Sequence, residues 1–173
     1  MLFPKFKPTL IFLFIWPLVT LIGFCAEAQQ AVIVSLPRSP LEITWYQADY
    51  IPSSVDKPLD SIEHRIQVLN PTDSDIVAFS IGFIEFNAFN EPMGAGMNGV
   101  RIETISSGGK ITSNFQNDRV PSAFTFENYG TSIAFVKKVR KKDGSVWTAP
   151  MDLVLLEVQK ISDKFTLGDF PQE

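Results

Sequence analysis

The chain has 173 residues, with 15 lysines and arginines against 19 aspartates and glutamates, a formal net charge of -4, one cysteine and one histidine. An acidic balance argues against general nucleic-acid binding, which needs basic surface to meet phosphate. A lone cysteine and a lone histidine exclude an internal disulfide and a Cys/His zinc centre, since both need partners.

The first segment is the most distinctive. Lys5 and Lys7 precede an apolar run over 10–25, and Ala26-Glu27-Ala28 follows. A basic start, an apolar middle and a small-x-small tripeptide make an export signal, with cleavage expected after Ala28. The run is shorter than the roughly 20 apolar residues of a membrane-spanning helix, and Pro17 interrupts it. A lipoprotein signal would place a small residue before the cysteine, whereas Phe24 precedes Cys25. An uncleaved anchor is the competing reading, and only that would give membrane contact. Either reading places the rest outside the cytoplasm, secreted or periplasmic. The cleaved product starts at Gln29, has no cysteine, and carries 13 basic against 18 acidic residues once Lys5, Lys7 and Glu27 are removed. Asn70-Pro71-Thr72 is no glycosylation sequon because of its proline, so a bacterial setting fits.

Beyond residue 28 the apolar segments are short, rich in Ile, Val and Phe, and punctuated by Pro, Gly, Asn and Asp, which is the strand signature. Strands are expected over 32–36, 41–46, 62–69, 76–86, 100–106, 110–115, 132–140, 145–147 and 153–161. Asp143-Gly144 predicts a tight hairpin with positive φ at both central residues. Ser106-Ser107-Gly108-Gly109-Lys110 and Asn70-Pro71-Thr72-Asp73 predict two further reversals. Seven to nine strands at this spacing predict an all-β fold, an antiparallel sandwich of the immunoglobulin or fibronectin type. That domain is expected over 29–163, with a mobile polar tail over 164–173. Its expected core includes Ile66, Val68, Phe79, Ile81, Phe135 and Trp147.

The segments 62–70 and 76–86, the aromatic run Phe83-Ile84-Glu85-Phe86-Asn87, and the later Ser107-Gly108-Gly109-Lys110 form a pattern. It resembles exported fibronectin-like domains of the FxLYD and water-stress (late-embryogenesis group 2) type. The 136–147 segment, with Asp143-Gly144 and Trp147, also looks like the closing hairpin of uncharacterised bacterial exported proteins. The resemblance implies a sandwich used for contact or scaffolding, and no catalytic residues.

Candidate chemistry is sparse. His64 stands in a strand between Glu63 and Arg65, and without a second histidine it reads as a surface or edge residue rather than a base or ligand. Asp73, Asp75 and Asn70, and likewise Asp56 and Asp60, read as turn chemistry rather than a calcium loop. Lys137, Lys138, Arg140, Lys141 and Lys142 form a basic run that reads either as a patch for an anionic partner or as a solvated hairpin. The glycine-rich stretch 94–99 leads into a strand, so it lacks the helix N-terminus that binds phosphate. No metal or cofactor site is expected.

The aromatic group Trp45, Tyr46 and Tyr50 is the candidate binding site. Neighbouring strand residues point to opposite faces, so Trp45 or Tyr46 is left outside as an anchor for a protein or polysaccharide partner. The function expected is therefore a non-enzymatic exported binding or accessory module. A carboxylate-based hydrolase of envelope or extracellular polymers, and an assembly factor working by strand addition, are the alternatives. Intact-mass measurement of the exported protein should show Gln29 as its first residue; a product that retains residues 10–25 would make it membrane-anchored.

Overall fold

The computed structural model describes residues 30–119 and 128–170, so the expected export signal lies outside the described residues. The chain forms β1 (Gln30–Val34), β2 (Glu42–Ile51), β3 (Asp60–Leu69), β4 (Ile76–Asn87), β5 (Met97–Arg101), β6 (Lys110–Arg119), β7 (Tyr129–Lys141) and β8 (Val146–Thr148). An α-helix, α1 (Met151–Val158), follows, and a 3-10 turn occupies Leu167–Asp169. The fold is mostly β, in two sheets.

The first sheet runs β1–β7–β4–β5, and the second β2–β3–β6. β1 pairs in parallel with the first half of β7, over Thr131–Phe135, and β8 pairs antiparallel with the second half, over Lys138–Arg140. The two short strands therefore share one edge of β7. The sheets meet through a core of Tyr46, Ala48, Ile62, Ile66 and Val68 from one side and Phe79, Ile81, Phe83, Ala134, Val136 and Val139 from the other.

The first sheet is also covered on its outer face. Ile84 and Phe86 of β4 and Ile133 and Phe135 of β7 pack against Val154 and Val158 of α1 and against Phe165 and Phe170. Two expectations are corrected here. The segment 153–161 was expected as a strand, yet it is largely helix: Val154 and Val158 are four residues apart and stack on one helical face. Pro150 stands at the helix start, where its missing N–H costs nothing, and Asp152 lies in the positive first turn. The second concerns the segment expected as a mobile tail. Through residue 170 it packs on the domain, with Phe165 fully buried and Phe170 edge-on to both Phe165 and Phe135.

The turns close through the expected residues in altered detail. At Asp143-Gly144 only Gly144 has positive φ, 88°. Lys141 and Ser145 hydrogen-bond across a three-residue loop, the arrangement in which one glycine takes the left-handed position. Asn70 is fully buried. Its amide donates to the Ser74 and Ile105 carbonyls at 2.8 and 2.9 Å, and its carbonyl oxygen accepts from Thr72. The Asn-Pro-Thr corner is thereby tied to the chain arriving from β5. Trp147, expected in the core, is only half-buried on the short strand β8, against the rims of both apolar clusters.

Gly82 marks the point where β4 needs space. A Cβ there would come 2.2 Å from the Phe135 ring, which lies over the glycine from the neighbouring strand. The ring is fully buried and wedged by Phe170, so it has little freedom to yield. Gly82→Ala should cost about 1–3 kcal/mol through overpacking, read as a shift of the urea midpoint at constant slope.

Candidate functional site

Two polar constellations stand out, one between the sheets and one on an open face. The first centres on His64. It is fully buried rather than at a surface or edge, which corrects the expectation. Its Nδ1 lies 2.9 Å from the Tyr46 hydroxyl, which lies 2.6 Å from the Ser132 hydroxyl. Its Nε2 lies 3.1 Å from Glu85 Oε1, which also accepts from the Asn117 amide at 3.0 Å. The His64 ring stacks on Phe83 with centroids 4.2 Å apart.

The chain Ser132–Tyr46–His64–Glu85 crosses from β7 to β2, to β3 and back to β4, so it links the two sheets. With Nε2 protonated, His64 donates to Glu85 and its Nδ1 accepts from Tyr46, a directionally consistent set. Burial pushes the Tyr46 hydroxyl well above its usual pKa, against the Ser132 hydrogen bond, with Tyr129 and Glu85 adding to the rise. Tyr46 thus stays a donor. Glu85 Oε2 and the Tyr129 hydroxyl are buried without hydrogen-bond partners among the described residues. A serine, a histidine and a carboxylate in series suggest nucleophilic chemistry, but Ser132 is fully buried and its hydroxyl meets Tyr46 rather than His64. This cluster holds the sheets together.

The second constellation is the outer face of β2–β3–β6. A bulge at Thr44 shifts the β2 register between Ile43 and Trp45. Ile43 packs toward the core, and after the extra residue it is Tyr46 that turns inward while Trp45 turns out, 44% exposed. The Thr44 hydroxyl donates to Gln67 at 3.0 Å, which holds the bulge. Of the three residues expected to bind, Trp45 alone is an exposed ring. Tyr46 is a buried member of the His64 chain, and Tyr50 is half-buried against the core.

Strand pairing then sets polar side chains in rows across the face. Trp45 stands opposite Gln67, and Gln67 opposite Thr112; Gln47, Arg65 and Asn114 form the next row; Asp49, Glu63 and Gln116 the third. Neighbouring strands place such residues about 4.8 Å apart, and alternate positions along a strand about 6.7 Å apart. The ionised groups engage one another. Arg65 pairs with Asp49, Lys57 with Glu63 at 3.5 Å, and Gln47 donates to both Asp49 oxygens at 3.0 Å. Partial desolvation pushes the Asp49 carboxyl up, but the Arg65 and Gln47 hydrogen bonds and the Arg65 charge outweigh it and hold it below its ordinary value. The face is thus a set of amides, threonine hydroxyls and charges beside one tryptophan, with Asp49, Glu63 and Arg65 paired and Asp118 accepting from the Gln116 amide.

The remaining candidates lie elsewhere. Lys142 pairs with Asp75 at 3.0 Å, and Asn70 spends its amide on backbone carbonyls. Among the described residues, no cluster of three His, Cys, Asp or Glu could hold a metal ion, and no helix is long and apolar enough to cross a membrane. The amide rows were missed in sequence because Gln47, Gln67, Asn114 and Gln116 lie on three strands and become neighbours only through pairing.

No protein-family model and no curated protein matches the chain. Among solved structures it is similar to a target of the Northeast Structural Genomics Consortium, at 13% identity and a TM-score of 0.43, over 64% of this chain and 80% of that one. It is also similar to a hypothetical protein from Peptoclostridium difficile 630, at 14% identity and a TM-score of 0.39, over 69% of this chain and 91% of that one.

Removing His64 should test the inter-sheet chain. His64→Leu leaves Glu85 and Tyr46 buried without their shared partner, and should cost about 3–5 kcal/mol in urea unfolding. Adding Glu85→Leu should recover part of that loss, because the second orphan is then removed.

Proposed function

We propose that this protein is an exported, non-enzymatic binding module, an immunoglobulin-like sandwich that holds a neutral polysaccharide on the outer face of β2–β3–β6. The observation that carries the reading is the exposed Trp45 ring beside rows of amide and hydroxyl side chains, with Thr112, Asn114 and Gln116 of the same rows exposed as well. A sugar ring offers an apolar face that stacks on indole and a rim of hydroxyls that both donate and accept. Gln47, Gln67, Asn114 and Gln116 can do both as well. Because Asp49, Glu63 and Arg65 are already paired, the face offers a charged partner little unmatched charge.

A hydrolase reading would use Asp49 and Glu63, which are opposite one another on β2 and β3. Both are engaged by basic side chains on an open sheet face, and catalytic acids need a cleft that excludes water and separates their pKa values. The binding reading is therefore favoured.

Affinity electrophoresis through gels containing soluble neutral glucans, xylan or mannan tests it. At least one polymer should retard the wild type. Trp45→Ala should weaken that binding about thirtyfold, the loss of an anchoring aromatic, with little change in melting temperature. Retardation should be level from pH 8 down to pH 5. The lowered carboxyl keeps Asp49 ionised across that range, and its pairing with Arg65 is lost only as pH falls below the usual carboxylate value of about 3.9 and through the folded one. Wild-type mobility equal to that of Trp45→Ala in every gel would remove the reading.

A further inference from the structure

Among the described residues, the outer face of the β1–β7–β4–β5 sheet is covered by helix and tail along only half its length. Helix α1, Phe165 and Phe170 lie over Ile84, Phe86, Ile133 and Phe135. Past Gly82 the same face continues over Ser80 and Ala78 of β4 and their cross-strand partners Lys138 and Arg140 of β7. Side-chain size drops here: β4 carries isoleucine and phenylalanine under the helix, but serine and alanine beyond it. Val100 of β5, 64% exposed, and Val146 of β8, 59% exposed, rise on either side. The result is a trough of about 540 Å³ with a largely apolar lining. The Lys137 amine donates across one end of it to the Asn98 side chain at 3.2 Å.

Among the described residues, Lys137, Lys138 and Arg140 line the trough, and no carboxylate does. The Arg140 side chain is exposed and makes no hydrogen bond or ion pair among the described residues. Exposed apolar walls favour an apolar occupant, and an exposed guanidinium favours an oxyanion that it can meet with two parallel hydrogen bonds. The volume is that of a site for one small molecule.

We propose that this trough binds a single-chain alkyl carboxylate, its chain along Ala78 and Ser80 between Val100 and Val146 and its carboxylate on Arg140. The alkyl chain takes, on the bare half of the sheet, the place that the helix and its apolar side chains take on the other half. A bilayer surface fits less well. Its headgroups would meet the cations, but its chains could not enter a trough walled by Val100 and Val146.

Titration calorimetry on the full exported chain with decanoate below its micelle concentration, acetate, and decyl maltoside tests the proposal. Decanoate should bind one to one, and acetate and decyl maltoside at least tenfold more weakly, because each lacks half of the recognition. Arg140→Gln and, separately, Ala78→Leu, which fills the trough floor, should each weaken decanoate at least tenfold at unchanged melting temperature. Trp45→Ala should leave decanoate binding as it is, which separates this site from the polysaccharide face. Equal affinity for decanoate and decyl maltoside, or wild-type affinity in both trough variants, would overturn the proposal. So would binding to anionic phosphatidylglycerol vesicles with no response to decanoate.

Discussion

The double-sided burial of β4 and β7 is the constraint from which the rest of the architecture follows. A sheet with apolar side chains on both faces must be covered on both faces, as in sheets flanked by helices. One face takes the β2–β3–β6 sheet through Phe79, Ile81 and Phe83, and the other takes α1 and the chain after it through Ile84, Phe86, Ile133 and Phe135. Among the described residues, the β2–β3–β6 sheet joins an apolar cluster on its inner face only, and its outer face carries polar residues. The helix is eight residues long and covers only part of β4 and β7. Both open surfaces, the amide rows and the trough, are consequences of where covering elements stop.

Between the sheets, the Ser132–Tyr46–His64–Glu85 chain is costly to bury and specific in return. Every apolar contact in the core would survive a small slide of one sheet over the other at modest loss. A hydrogen-bond chain with separations of 2.6, 2.9 and 3.1 Å would not. A slip of one residue in β2 would also send Tyr46 to the outer face, and one in β3 would send His64 there and take from Glu85 its histidine partner. The network therefore sets how the two sheets sit on one another, while the apolar residues around it supply most of the stabilisation.

Most strand positions were legible because local chemistry marks them, although the strand expected over 100–106 runs Met97–Arg101 and begins within the glycine-rich stretch. β-branched and aromatic runs, Gly144, the Gly108-Gly109 pair and the Asn-Pro-Thr corner act within a few residues. The third layer was not legible. The segment after Pro150 is rich in Val and Leu, residues compatible with strand, and its helical stacking of Val154 on Val158 gains its value only when the outer face of β4 and β7 is there to receive it. The same applies to residues 164–170, whose polar composition hides two phenylalanines placed to close over Phe135 and Phe86. His64 was misjudged for a related reason. Glu63 and Arg65 beside it in sequence point to the opposite face, and its true partners come from β2 and β4.

The candidate binding residue depended on a feature that alternation alone misassigns. Counting by twos from Ile43, which packs toward the core, places Trp45 inside and Tyr46 outside. Thr44 inserts one extra residue into β2, and the count inverts from there to the end of the strand. A phenol inside can meet the His64 imidazole and the Ser132 hydroxyl, whereas an indole there would offer a donor and no acceptor. The indole outside adds a broad apolar plate to a face otherwise built of amides. The bulge thus serves two ends through one insertion: it completes the buried hydrogen-bond chain with tyrosine, and it sends tryptophan to the surface opposite Gln67. Bulges commonly re-aim side chains in this way near functional faces, and here the side chain of the bulged residue itself, through its hydrogen bond to Gln67, belongs to the row that Trp45 begins.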